Sequence, residues 1–437
     1  MSQLSGRGTS GIDARELCVP QRTSHVPDTW PIRVLMLRTL TSALAAILLA
    51  TPAVLTAQDV TEHDELLERR WKSLLAGGYE PLTIPIDWYD PVAPVPSELE
   101  PFVLGEPDAA GIAPTALAAA SAWAEAQNST ALIVARDGVP VFERYWQGSG
   151  RDTRFNPQSM SKTLTGLLYG TAIARGEIAS VNDPVDRWIA EWRGEARGEI
   201  PLRALLTMAS GLEQGDAGLG YAITLDNPVV VHSLGSDATT LPLSLQPVRG
   251  AEEKFDYSNQ VSQLLGIVLE RATGQDYETL LAERLWQPLG LAPAAMPLDR
   301  AGGMVRTSCC VFSRPIDWLR IGNLFLNDGM HDGARIVPAG WIDEMVAPSA
   351  AYRGYGYQVW TGDQRIGGER PPKVPLIPWQ SEAFVDPGTI ILHGHGGQRV
   401  YVVPSKQLVI VRASRTWPAA WDDALLPNLL ARGTANR

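Results

Sequence analysis

The sequence predicts an α+β fold, with one sheet built from the two ends of the chain and a mainly helical segment inserted between them. Three observations carry this. Thr130 to Arg136 and Val139 to Trp146 are apolar or alternating runs joined by Asp137-Gly138, a strong hairpin signal. From 159 to 300 the dominant apolar spacing is helical. Strand signals then return at Tyr357 to Thr361, Thr389 to Leu392, Arg399 to Val403 and Leu408 to Arg412.

In chain order, the first structured element is preceded by a processing signal. Met36-Leu-Arg38, the apolar run Leu40 to Leu49 and the small-residue stretch Thr51 to Ala57 form a basic region, a hydrophobic core and a cleavage zone. Residues 36–57 are therefore expected to be a signal peptide cut after Ala57, with Ala53 the other candidate. An uncleaved membrane anchor is the competing reading, disfavoured because the run is short and broken by Pro52. Residues 1–35 are polar and patternless ahead of a methionine that opens a complete signal, so they are expected to be an untranslated or non-native extension. A periplasmic or secreted location follows as an expectation, with no stable membrane span once the signal is removed.

Residues 58–110 are expected to hold one helix and a proline-rich arm. Leu67, Trp71, Leu74 and Leu75 fall at i, i+4, i+7 and i+8 of a helix over 61–76, and residues 81–107 are extended. An alanine-rich helix should start at Pro114, a residue suited to a first turn, and run to Gln127. The main domain is expected over 111–430, with sheet parts 111–158 and 301–430 and a helical lobe 159–300. Within the lobe, Leu164, Leu167, Leu168 and Ala172 lead to a helix end at Arg175-Gly176. Asp183-Pro184 opens a short element, and Val261, Leu264, Leu265, Val268 and Leu269 make an amphipathic helix ending at Gly274. A final helix is expected over Ala419 to Leu430.

A composition 45% apolar and 19% charged is that of a globular protein. The net charge of −11, with no Lys/Arg block to offset it, argues against a nucleic-acid partner. Six histidines, three cysteines and no H-E-x-x-H or C-x-x-C give no basis for a metal site, and no cofactor is implied. The adjacent Cys309-Cys310 pair has two readings, a closed vicinal disulfide or two buried thiols.

Only five lysines occur, and Lys162 follows Ser159 by three residues in Ser159-Met160-Ser161-Lys162. One helical turn apart, the two side chains share a face, and a buried lysine can serve as a base for a serine nucleophile. The competing reading of Ser159 is an ordinary helix cap. Two further stations follow in order: Tyr257-Ser258-Asn259, and His393-Gly394-His395-Gly396-Gly397-Gln398. No G-x-S-x-G elbow is present. Trp360 and Trp379 flank the stretch before the third station and either line an acyl pocket or serve in packing.

The order S-x-x-K, Y-x-N, then His-Gly-Gly resembles the serine β-lactamase and penicillin-binding-protein family, in which many members carry Lys-Thr-Gly at the third station. The segments Ile200 to Leu212 and Leu285 to Leu291 are also similar to stretches of that family, so the resemblance covers roughly residues 110 to 430. It leans to the class C-like branch, which includes esterases, D-amino-acid peptidases and 6-aminohexanoate-dimer hydrolases. The resemblance implies an antiparallel sheet flanked by helices, an all-helical lobe, and a site in the cleft between them.

It also implies roles. Ser159 is the nucleophile, Lys162 and Tyr257 exchange its proton, and Asn259 orients Lys162 and meets the substrate. His395, or His393 in another register, takes the third station. Gly396 and Gly397 let an edge strand approach the substrate, and the amides of Gln398 and Ser159 form an oxyanion hole. A histidine half-charged near neutral pH is expected where the family's lysine grips a carboxylate. The expected function is an exported serine esterase or amidase acting on a small molecule. The alternatives are a β-lactamase or peptidoglycan D-peptidase, and a catalytically inactive cell-envelope binding protein.

Overall fold

A computed structural model describes residues 64–79, 83–213, 224–364, 366–367 and 377–436. The expected extension and signal peptide (1–57) lie outside the described residues. The first helix, α1 (Glu65–Gly77), starts where Asp64 Oδ1 accepts from Leu67 N at 2.9 Å and stops at left-handed Gly78. Arg70 on α1 donates to the carbonyls of Leu234 and Asp299, each at 3.0 Å, and of Asp90 at 2.9 Å. The arm then forms β1 (Val92–Val95), a strand the sequence did not announce.

Helix α2 (Pro114–Ala126) begins at its proline, as expected. Strands β2 (Ser129–Arg136) and β3 (Val139–Tyr145) close on Asp137 and Gly138 at φ 56° and 80°, the left-handed pair that a two-residue hairpin requires. A 3₁₀ turn, Gln158–Ser161, leads into α3 (Lys162–Ala174). Short helical pieces follow until α4 (Asn259–Thr273), which Ser258 caps and left-handed Gly274 ends. Strand β4 (Ala294–Pro297) pairs antiparallel with β1, pinning the arm to the end of the helical stretch. Helix α5 (Asp317–Leu326) lies against the sheet.

The remaining strands of the main sheet are β5 (Trp360–Thr361), β6 (Ile390–Gly394), β7 (Gln398–Val403) and β8 (Leu408–Ser414), with helix α6 (Leu425–Arg432) last. The six-stranded sheet runs β3-β2-β8-β7-β6-β5, and every pairing is antiparallel. Ile410 of β8 faces Val134 of β2, which joins the two ends of the chain in the middle of the sheet. Leu132, Val134, Val400, Val402, Ile410 and Val411 are fully buried there, each contributing about 1.5–3 kcal/mol by burial.

Three expectations are corrected. The strand predicted at Tyr357 to Thr361 shrinks to two residues, because the amides of Tyr357 and Gln358 bond to Met345 and Leu206 carbonyls instead of a sheet neighbour. The final helix starts at Leu425, since Asp422 Oδ1 accepts from Ala424 N at 3.0 Å and Asp423 is turned toward Arg399. The strand after the third station is not an edge: β7 lies between β6 and β8, and Gly396 and Gly397 fall in the turn that joins β6 to β7.

Candidate active site

Ser159 sits in the 3₁₀ turn ahead of α3, just after a backbone feature that the sequence did not reveal. Gln158 has φ 53°, in the left-handed region that costs a residue with a Cβ about 1–2 kcal/mol. Its amide donates to Asn156 Oδ1 at 2.9 Å, which helps hold the bend. The turn places Ser159 at the N-terminal end of a helical run, where backbone dipoles favour negative charge.

Lys162, only 1% exposed, meets three oxygens. Its Nζ lies 3.0 Å from Ser159 Oγ, 2.7 Å from Asn259 Oδ1 and 2.7 Å from the carbonyl of Ser308. Three acceptors match the three donors of an ammonium. Tyr257 is buried, with its ring centroid 5.0 Å from Lys162 Nζ, and it stacks on Trp360 at 5.6 Å. Trp360 thus belongs to the wall of the site, whereas the amide of Trp379 donates to Asp423. Ser308 was not foreseen, and its hydroxyl lies 3.1 Å from Nε2 of buried His232. Burial, helped by the charges of Arg306 and Lys162, pushes His232 down to about 3, so it is neutral. A backbone carbonyl leaves no residue-type signal, and nothing in the spacing singled out His232.

The third station forms a tight turn against the first. Gly394 ends β6, and a Cβ there would collide with the carbonyl oxygen of Pro157, so this glycine lets β6 lie against the Ser159 turn. Gly396 and Gly397 both have positive φ, 72° and 80°. His393 is buried and tilted against Trp360 at 5.6 Å; His395 is half-buried and edge-on to Trp417 at 4.3 Å. The charge expected of His395 is corrected: burial, then the Arg399 charge, lower it to about 4, so the imidazole is neutral near pH 7.

Two buried arginines back this turn. Arg412 Nη1 donates to the carbonyls of Gly396 and Gly397 at 3.0 and 2.9 Å, and Arg399 Nη1 to those of Gly394 and Gln398 at 2.7 and 2.9 Å. Asp423 accepts from Arg399 Nε at 2.6 Å, and the Trp421 ring lies about 5 Å from both guanidiniums. The Gln398 side chain is wholly buried, locked to the Ser414 backbone by bonds of 2.7 and 2.9 Å. The structure therefore brings together Ser159, Lys162, Tyr257 and Asn259, and sets the Gly394 to Gln398 turn beside Ser159.

Cys309 and Cys310 form a disulfide, which decides between the two readings of that pair. Among the described residues, Glu100, His331 and Asp332 bring ligand atoms within 4.8 Å of one another at the surface. Arg320 already sits 4.0 Å from Glu100 Oε2, and none of the three belongs to the stations above.

The family described as Beta-lactamase matches residues 116–434. The 6-aminohexanoate-dimer hydrolase of Paenarthrobacter ureafaciens is 26% identical over 305 residues, spanning 66% of this chain and 72% of its own. Esterase EstB of Burkholderia gladioli is 33% identical over 181 residues, spanning 36% of this chain and 44% of the esterase. A solved structure from Bacillus anthracis, provisionally described as a 6-aminohexanoate-dimer hydrolase, superposes with a TM-score of 0.62 at 17% identity. That match covers 84% of this chain and 92% of the other, and it concerns the fold alone.

Proposed function

The chain belongs to the beta-lactamase family, and on that premise we propose that it is an exported serine hydrolase cleaving an ester or amide through a Ser159 acyl-enzyme. The observation that carries the reading is the contact of Lys162 Nζ with Ser159 Oγ at 3.0 Å, with Asn259 Oδ1 holding the same nitrogen at 2.7 Å. A nucleophile, a base within reach and a third group orienting the base are the parts that covalent catalysis needs.

In this reading Ser159 Oγ attacks the substrate carbonyl carbon and gives up its proton to the Tyr257 and Lys162 pair. The carbonyl oxygen becomes an oxyanion, held by the amides of Ser159 and Gln398. Collapse breaks the bond to the leaving group, which departs with the transferred proton and leaves the acyl ester on Ser159. Water, deprotonated by the same pair, then attacks the ester and frees the acid.

The third station supports a reading of the substrate class. A neutral His395 offers no fixed charge to a carboxylate, which favours an uncharged ester or amide over a β-lactam or a peptide carboxylate. Among the relatives' names, that of the esterase points the same way. Export rests on the sequence pattern of 36–57, read as a leader. The test is intact-mass analysis after a fluorophosphonate probe, beside p-nitrophenyl acetate turnover. One adduct on the wild type and none on Ser159→Ala is the expected result. Turnover retained by a folded Ser159→Ala protein would overturn the reading.

A further inference from the structure

The segment beneath Lys162 is tied to the helix of the first station at two points. The Ser308 carbonyl accepts from Lys162 Nζ at 2.7 Å, and Val311 N donates to Ser161 Oγ at 3.2 Å. Between these points lie only Cys309 and Cys310, closed on each other by their disulfide. Cys310 has φ 78°, a conformation that a residue with a Cβ rarely adopts in an open chain. It is packed with Ile84, Tyr89 and Phe312, while Cys309 is half-buried against the same cluster.

We propose that the Cys309–Cys310 disulfide is a positioning element for Lys162, holding the Ser308 carbonyl where it accepts from the Lys162 amine. The argument is one of connectivity. A bridge between neighbouring residues closes a small ring through their shared peptide, so it restricts ψ of Cys309 and φ of Cys310 together. That restriction sets the direction in which the chain leaves Ser308 and arrives at Val311. With the ring open, Cys310 is free to relax to negative φ, and the two anchors no longer fit Ser161 and Lys162 at once. The inference rests on the reading of Lys162 given above. It adds that the protonation state and aim of this amine depend on a covalent bond outside the three stations.

The test is reduction of the full chain. Tris(2-carboxyethyl)phosphine delivers two electrons to the disulfide, and two protons complete two thiols as water supplies the oxygen of the phosphine oxide. The redox state is read by alkylation and peptide mass at Cys309 and Cys310. Reduction is expected to lower kcat roughly tenfold, the scale of losing one hydrogen bond to a charged group. KM should change less than twofold. Because the lost acceptor favours the protonated amine, the pH profile of kcat should also move to lower pH.

Reoxidation with oxidised glutathione should restore both. The Cys309→Ser/Cys310→Ser double variant should resemble the reduced protein and ignore the phosphine. Fully reduced protein that keeps its kcat and pH profile overturns the proposal. So does a fall in kcat accompanied by a lower Tm but no movement of the profile, which marks a purely structural bond. Ser159→Ala is assayed alongside. If it is inactive while reduced wild type is unimpaired, the role of the disulfide fails and the nucleophile stands. If it stays active, both fail.

Discussion

Arg412 Nη1 donates to the carbonyl of Gly397 at 2.9 Å. In a trans peptide C=O and N–H point in opposite directions, so this contact also aims the amide of Gln398, the proposed oxyanion donor. Both the guanidinium and the Gly397–Gln398 peptide are buried, where such a bond is strong and hard to reorganise. Gly397 has no room for a side chain either, since a Cβ would lie 2.8 Å from Arg412 Nη1.

The expected consequence is that Arg412→Lys lowers kcat more than it raises KM. A lysine lacks the nitrogens that Arg412 uses to bond Ser129 Oγ (Nε) and the Gln127 carbonyl (Nη2), so nothing fixes its ammonium beside the Gly396 and Gly397 carbonyls. Complete loss of an oxyanion donor costs about 2.7–4 kcal/mol; a misaimed one should cost less, roughly a 10–100-fold fall in kcat. Steady-state kinetics on p-nitrophenyl acetate below the variant's own Tm would check this. A well-folded Arg412→Lys protein with unchanged kcat would count against it.

Lys162→Met should separate chemistry from stability. The substitution removes a buried cation whose acceptors on Ser159, Asn259 and Ser308 are neutral, so the fold loses hydrogen bonds but also sheds a desolvated charge. Turnover should fall by about 10²–10⁴, the range for loss of a positioned acid–base group. Fluorophosphonate labelling should slow in parallel, while the melting curve keeps its cooperativity. Labelling at the wild-type rate would show that Ser159 needs no help from Lys162.

Stability should decline on the acid side through His232 and His395. His395 is lowered to about 4 and His232 to about 3, in both cases first by burial. Above the unfolded value near 6.5 both states are neutral and this contribution is complete. Below it the unfolded chain takes up protons that the folded chain refuses, so stability falls with pH until the folded value is passed. Each histidine costs about 1.4 kcal/mol per pH unit within its window. Urea melts at pH 7, 5.5 and 4.5 should show this loss, and His395→Gln should reduce the slope by one histidine's share between about pH 6.5 and 4. A neutral His395 further implies faster turnover of p-nitrophenyl acetate than of an anionic chromogenic cephalosporin.

What the sequence revealed and what it hid follow a physical line. The Asp137-Gly138 hairpin, the Val261 to Leu269 periodicity and the Pro114 helix start were legible because each depends on neighbours in the chain. The Ser159, Lys162, Tyr257 and Asn259 set was legible through the order of short motifs, though only folding brings Asn259 to Lys162. The Ser308 carbonyl, the φ of Gln158 and the two arginines behind the third station were not legible. The first is backbone, the second is a conformation without a glycine to mark it, and the third depends on Arg399, Arg412 and Trp421 meeting around one turn. The shortened strand at Trp360 failed for a related reason, since its amides are claimed by Met345 and Leu206 from distant segments.

Gly394 gives the most local test of how the first and third stations are joined. A methyl group at this position would meet the Pro157 carbonyl two residues ahead of Ser159, and the Gln398 Cβ at 2.8 Å. Neither neighbour is free to yield. Pro157 enters the turn whose next residue already holds φ 53°, and the Gln398 side chain is locked to Ser414. Gly394→Ala should therefore push the turn and β6 apart, destabilising by about 1–3 kcal/mol, the range for overpacking. Its effect on kcat should exceed this loss of stability, because displacement of Ser159 relative to the Gln398 amide disturbs the nucleophile and the oxyanion site together, and misplacement by about 1 Å can cost 10²-fold. The comparison that decides is Gly394→Ala against Gly433→Ala, where a Cβ would clash with Ala116 at the edge of α2, outside the stations. Loss of Tm in both with loss of kcat only in the first is the expected pattern. Equal kcat in the two variants would mean that the close approach at Gly394 serves packing and not the alignment of the site.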